Sequence, residues 1–421
     1  MADEGGVQEH PVTDEIVQKA VRAARGPDAQ LVSWKIKDFT NKGDNYACLV
    51  TSVVVQYTLG DLQKETTFVA KMMRTQNSGG FSDMVRKSFK REDACLAEIV
   101  PRMNKILKEL GLREIGIAKT YYTSCETGKE LLLLEDLRTR GFKMFDRRRG
   151  MDIPHARLVL TELGMLHAAS LLLERILPEH DITKAWQVFE DDWMNDGEAK
   201  KMFGAMSRNQ LEGAALIMEK VPNYGHVVDW INKIKETSVD IFMNSFATSS
   251  DFGVLIHGDC WNNNLLFRYD AAGDPVEVML VDLQIMRRAS PAVDLNYFLY
   301  SSFNGPDRTP NLETYLKIYH TSFSSVLEAG GAAVPYTLEE LREEFRRRML
   351  FGCITGMFLI PIVLSEAEDV PDLDAMTDGN MEEFAKERQE VVLKMSMRDD
   401  GLLKHRFLDM FDDMLEAGII S

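Results

Sequence analysis

His257-Gly258-Asp259-Cys260-Trp261-Asn262-Asn263-Asn264-Leu265-Leu266-Phe267 is the run whose reading decides the fold. Apolar Val254-Leu255-Ile256 leads into it and Leu265-Leu266-Phe267 leads out, so both ends of a short polar loop are anchored by residues that seek a core. Asp259 can accept the proton of an attacking hydroxyl. Asn264, on the same loop, can offer a neutral oxygen to a hard cation. Taken alone, the run also fits a polar turn between two buried strands.

Downstream, Val278-Met279-Leu280-Val281-Asp282-Leu283-Gln284 reads as an apolar strand that ends in a carboxylate. Such an acid is well placed to hold magnesium against ATP phosphates, and its spacing from Asp259 suits a short hairpin. Upstream, residues 31–36, 48–59 and 66–73 are β-branched and alternating, which predicts three successive antiparallel strands joined by turns. Thr13-Asp14-Glu15 is expected to open a short helix ending near Gly26. Residues 82–110 carry helical spacing interrupted by Pro101, where a kink or break is expected. Strands are predicted at 115–122 and 130–134, and beyond Leu137 the pattern is mostly helical. Strands early and helices late predict an α+β, two-lobed molecule with a connection near residue 135.

With that order, H-G-D-x-W-x-x-N followed by V-D-L-Q resembles the ecdysteroid-kinase-like family, within the aminoglycoside- and choline-kinase-like branch of the protein-kinase-like fold. Trp261 and Gln284 point to that family within the branch, and Ser290-Pro291-Ala292-Val293-Asp294-Leu295 resembles its P-x-x-D-L segment, whose acid tethers the catalytic region. The resemblance runs from about residue 28 to 410. It implies an N-terminal extension (1–27), an ATP-binding N-lobe with a small antiparallel sheet (28–135) and a large, mainly helical C-lobe (136–421).

The resemblance also distributes roles. Asp259 is the expected catalytic base, and Asn264 and Asp282 are the expected magnesium ligands. Lys71, in Phe68-Val69-Ala70-Lys71, is expected to reach the ATP phosphates, although a lysine there also suits an exposed strand edge. Glu92 is its expected partner; Glu98 is the alternative, facing elsewhere on an unbroken helix. Lys42-Gly43-Asp44-Asn45-Tyr46-Ala47-Cys48 lies where the family's phosphate-covering loop lies, which assigns Gly43 and Asn45 to the nucleotide. Cys48 stands where a serine is expected. Glu135 and Leu137 are assigned to adenine through their backbone, and His167 is read as a packing histidine.

Composition removes other classes. The net charge of −17 argues against a nucleic-acid groove or an anionic membrane as the main partner. Arg147–Arg149 and Arg346–Arg348 read as solvated helix faces. Five scattered cysteines without a C-x-x-C pair suggest a reducing compartment, and the cytoplasm is the expected location. The longest apolar run, 349–364, contains two glycines and meets Pro361, so a buried helix is expected rather than a membrane span. No H-R-D, D-F-G or A-P-E segment is present, which disfavours a protein kinase. The expected activity is ATP- and Mg²⁺-dependent phosphorylation of a small, lipophilic alcohol such as an ecdysteroid. A choline- or aminoglycoside-type kinase, or an inactive nucleotide-binding relative, is the alternative.

Overall fold

The computed structural model describes residues 11–38, 48–73, 80–190, 197–247, 252–369, 381–398 and 401–420. Gly43 and Asn45 lie outside them. The predicted α+β, two-lobed architecture is borne out. A five-stranded antiparallel sheet forms from β1 (Gln30–Asp38), β2 (Cys48–Leu59), β3 (Leu62–Met73), β4 (Thr120–Ser124) and β5 (Leu131–Glu135), in the order β1-β2-β3-β5-β4. The period of two along a strand sorts its side chains. Val53, Val55 and Tyr57 of β2, Phe68, Ala70 and Met72 of β3, and Leu131 and Leu133 of β5 share one core. That core is closed by Val17, Ala20 and Val21 of α1 (Asp14–Arg25). Thr13 caps α1 and Gly26 ends it, as expected. Lys71, between Ala70 and Met72, is thereby turned to the opposite face of the sheet.

On that face runs α2 (Gly80–Ala94), continued through a π turn at Cys95–Ile99 into α3 (Val100–Glu109). The predicted interruption is present, but it is wider than a proline kink. Val100 N–H reaches back to Cys95 O, and Pro101, which has no N–H to give, sits in the first turn of α3. The apolar side of this pair, with Val85, Phe89, Leu96 and Met103, joins the large core of the helical lobe. Arg91 donates to Val188 O at 3.2 Å, and Trp186 Nε1 donates to Glu98 Oε2 at 3.0 Å, so α2 and the π turn are fastened to the lobe below.

The expected strand over 115–122 is shorter, and β4 begins only at Thr120. Residues before it cross between lobes instead. Leu280 N–H donates to Gly116 O at 2.7 Å, and Gly116 N–H donates to buried Glu162 at 2.5 Å. A Cβ at Gly116 would lie 2.5 Å from Val278 O, so only glycine permits this approach.

The helical lobe is built on α4 (Ile153–Ile176), α5 (Ile182–Ala185), α6 (Gly197–Met218), α7 (Gly225–Ile234) and α8 (Ser238–Asn244). After the strands described next come α9 (Pro291–Ser302), α10 (Gly305–Arg308), α11 (Leu312–Ala329), α12 (Leu338–Arg347), α13 (Met349–Leu364), α14 (Met381–Ser396) and α15 (Leu402–Glu416). α4 is long and apolar enough to cross a membrane, yet 78% of its apolar window is buried inside the protein, against α11 above all. α13 is likewise buried, against α9 and α15. The arginine runs are not simply solvated. Arg147 donates to Ser365 O at 2.8 Å, and Arg348 binds Glu344 at 3.0 Å and the carbonyls of Ser245 and Ala247, so both runs tie helix ends together.

Two small sheets carry the polar loop. β7 (Val254–Ile256) pairs with β10 (Arg287–Ala289), and β6 (Lys143–Met144), β8 (Leu265–Tyr269) and β9 (Pro275–Leu280) form the other. β7 leads into the loop, β8 and β9 form the hairpin behind it, and β10 runs directly into α9.

Candidate active site

The loop from His257 to Asn264 is held by its own backbone and by α9. Gly258 adopts φ +82°, and a Cβ there would stand 2.6 Å from Ile285 O, so glycine is required twice over. Asp294, fully buried in the first turn of α9, accepts His257 N–H at 2.7 Å and Gly258 N–H at 2.8 Å. It also meets His167 Nε2 at 3.1 Å, whose Nδ1 meets Tyr319 Oη at 3.0 Å. Burial alone would raise the Asp294 carboxyl, but these partners hold it below the usual aspartate value. His167 is therefore a buried, hydrogen-bonded histidine that orients Asp294.

The His257 ring joins the loop to the neighbouring strand. Its Nδ1 accepts Asp259 N–H at 3.2 Å, which leaves Nε2 as the protonated nitrogen, donating to Val281 O at 3.1 Å. Val281 N–H in turn donates to Asn264 O at 3.1 Å. The residue before Asp282 is thus bonded to both ends of the Asp259 loop.

Asp259 keeps some solvent exposure. Asn264 Nδ2 donates to its Oδ2 at 2.8 Å and to its main-chain carbonyl at 2.9 Å, while Tyr297 Oη donates to its Oδ1 at 2.5 Å. Burial and the nearby Asp282 carboxylate push the Asp259 carboxyl above the ordinary aspartate range, and the two hydrogen bonds pull it back in part. A base whose pKa is raised toward neutrality is the better proton acceptor.

Asp282 follows β9 with φ +67°, a left-handed backbone that aspartate tolerates better than most residues. Its Oδ1 accepts the Lys71 ammonium at 2.6 Å and its Oδ2 accepts Gln284 Nε2 at 3.2 Å. Lys71 also donates to Glu92 Oε2 at 2.6 Å, and Glu92 further accepts the Leu283 N–H. Burial favours the neutral amine, but two carboxylates overcome it and hold Lys71 protonated, well above the usual lysine value. Sheet, α2 and helical lobe thus meet at one ammonium. Glu98, the alternative partner, faces Trp186 instead, because the helix does not turn it toward Lys71.

Magnesium fits this donor set. Asp282 and Asn264 present hard oxygens; with Nδ2 of Asn264 committed to Asp259, its Oδ1 is left for a cation, and Asp282 already carries a cationic group. Among the described residues no cluster of three or more His, Cys, Asp or Glu converges on a metal site. A cation held by Asp282 and Asn264 would take few protein ligands, which suits Mg²⁺, an ion that keeps much of its shell from water and substrate phosphates.

At the lobe connection, Glu135 N–H is already committed to Lys119 O at 2.8 Å, and Leu137 O accepts Phe142 N–H at 3.2 Å. Sequence reasoning did not find Tyr297 or the role of Gln284 beside Asp282. Tyr297 lies three residues after Asp294 on one helix, hence on the same face, a spacing that by itself does not name Asp259 as its partner.

No curated protein matches the chain. Solved structures similar to it include an ethanolamine kinase of Plasmodium vivax (11% identity, 92% of this chain and 91% of that one, TM-score 0.40). A choline kinase of Cryptosporidium parvum Iowa II is also similar (11% identity, 97% and 98%, TM-score 0.46). A third is a spectinomycin phosphotransferase bound to ADP and spectinomycin (10% identity, 95% and 99%, TM-score 0.40). The profile of the ecdysteroid kinase-like family matches residues 42–331, a span that takes in Lys71, Glu92, Asp259, Asn264 and Asp282. The chain belongs to the ecdysteroid kinase-like family.

Proposed function

We propose that this protein transfers the γ-phosphoryl group of ATP to a hydroxyl of a small molecule, with Mg²⁺ as cofactor. One observation carries the reading: a buried ammonium lies 2.6 Å from both Glu92 and Asp282, beside a loop in which Asp259 and Asn264 are bonded to each other. Phosphoryl transfer needs little more than positioned charge and a proton acceptor.

In this reading the Glu135 carbonyl and the Leu137 N–H take the donor and acceptor edge of adenine. Lys71 stays with Glu92 and exchanges Asp282 for phosphate oxygens. Bound Mg²⁺, held by Asp282 and Asn264, would offset phosphate charge. The acceptor hydroxyl donates to Asp259, its oxygen forms the new bond to phosphorus as the bond to ADP breaks, and the proton passes to Asp259.

The finer reading of the acceptor is a neutral, largely apolar alcohol. Supporting it, aromatic side chains extend away from the Asp259 neighbourhood. Tyr297 lies 6.3 Å from Phe351, which lies 5.2 Å from Phe242 and 5.5 Å from Phe246, and Phe203 lies 4.9 Å from Phe242 (centroid distances). Phe203, Phe242 and Phe246 are only partly buried. A choline- or aminoglycoside-type acceptor is the second reading and uses the same catalytic residues. The test is ADP formation from Mg·ATP in the presence of steroid, amine and phenolic alcohols, with Lys71→Met as control. Turnover by the parent that Lys71→Met abolishes supports the reading; nucleotide binding without turnover on any acceptor makes the protein an inactive relative.

A further inference from the structure

We propose that Tyr297 is a positioning residue for Asp259, fixing the plane of its carboxylate for proton transfer; this rests on the reading of Asp259 as the base. The phenol oxygen stands 2.5 Å from Asp259 Oδ1, while Asn264 Nδ2 stands 2.8 Å from Oδ2. Each carboxylate oxygen therefore has one donor, from opposite partners, and rotation about the terminal bond of Asp259 would break both. Either donor alone would leave the group free to pivot about a single contact. Together they define one plane.

What makes Tyr297 a dependable clamp is the element that carries it. All twelve residues of α9 are buried, and the helix is capped by Ser290, whose side chain accepts Ala292 N–H at 3.3 Å. Asp294 and Tyr297 lie one turn apart on one face of α9. The first grips the backbone of His257 and Gly258, and the second grips the Asp259 side chain. Main chain and carboxylate of the loop are thus referred to the same rigid helix. Asn264, by contrast, belongs to the loop itself and moves with it. The Tyr297 ring is almost fully buried, against Phe351 of α13. Burial and the facing Asp259 carboxylate push the phenol far above its ordinary pKa, so it remains a donor throughout the working range.

Loss of this clamp acts on chemistry rather than on nucleotide binding, because Lys71, Glu92 and Asp282 make no contact through Tyr297. Geometry is the quantity at stake: a misplacement of about 1 Å costs on the order of a hundredfold in rate. Tyr297→Phe keeps the ring and removes only the hydroxyl.

The test takes water as the acceptor, so the natural acceptor need not be known. ADP formation from Mg·ATP is measured for the parent, Tyr297→Phe, Asp259→Asn and the double variant, and Mg·ATP affinity by calorimetry reports that each protein is folded. Tyr297→Phe is expected to lower kcat by about tenfold to a hundredfold with KM for ATP and Mg·ATP affinity within about twofold, the split for an interaction used only in the transition state. In the Asp259→Asn background the same substitution is expected to change kcat by less than about twofold, since a clamp with no base to hold has nothing to lose. Tyr297→Phe with parental kcat while Asp259→Asn is impaired overturns the inference and leaves the base intact. Equal losses in both backgrounds, or a loss matched by weaker Mg·ATP binding, also overturn it, since they mark a structural role. Parental kcat in Asp259→Asn overturns the base itself.

Discussion

Asp259 is where charge, hydrogen bonding and exposure meet most closely. Asp259→Asn keeps the shape and removes the proton acceptor, so turnover is expected to fall by about 10²–10⁴-fold, the usual span for a general base, with Mg·ATP binding retained. Near-parental turnover with a good acceptor would reject the assignment. The direction of its pKa shift gives a second test. As the proposed base Asp259 acts in its ionised form, and burial with the Asp282 charge raises its pKa. Activity should therefore rise as pH climbs through a value above the ordinary aspartate pKa of about 3.9. A pH profile of kcat/KM whose acid limb lies at or below that value would contradict the shift. Lys71, Glu92, Asp259, Asn264 and Asp282 were legible because each sits inside a short run whose neighbours give its setting. Tyr297 was not, since its partner is 38 residues away and only the fold brings α9 back to the loop.

Elements explain why those side chains arrive in register. Alternation along β3 turns Lys71 away from the α1 core, and α2 presents Glu92 to it from the other side. If the pair acts as one unit, Lys71→Met and Glu92→Gln should each slow turnover, and their combined loss should be clearly less than the product of the single losses. Multiplicative losses in a double-mutant cycle would argue for independent roles. α9 supplies a stability prediction. Asp294→Ala strips an acceptor from His257 N–H, Gly258 N–H and His167, all buried. Breaking a buried charged network on one side typically costs about 3–5 kcal/mol, to be read from the urea midpoint at unchanged slope. A midpoint shift under about 1 kcal/mol would mean that the network is dispensable. Strand and helix types were readable from periodicity, and a helix interruption near Pro101 from chemistry. The π turn was not, because its register depends on α2 and α3 both packing on the lobe beneath. The Gly116–Leu280 seam was missed for a like reason: it joins segments that local pattern treats separately.

Across the whole molecule, the Lys71 ammonium is bonded to carboxylates of both lobes, and the family to which the chain belongs is defined over both. The net charge of −17 disfavours anionic acceptors at a distance, but screening over about 8–10 Å confines that effect to the mouth of the site. In the proposed function, shape and apolar surface would then decide among neutral and cationic alcohols. With the aromatic run beyond Tyr297, kcat/KM should be higher for an ecdysteroid than for choline or kanamycin under identical ATP and Mg²⁺. The reverse order would change the acceptor and leave the catalytic residues as assigned. The most direct test of phosphoryl transfer itself is to follow label from γ-labelled ATP into the acceptors of that panel. Labelled small-molecule product should form with Mg²⁺ and the parent protein and fall to background with Asp259→Asn; product formed equally by both, or no product from any acceptor by a parent that binds ATP, would contradict the account.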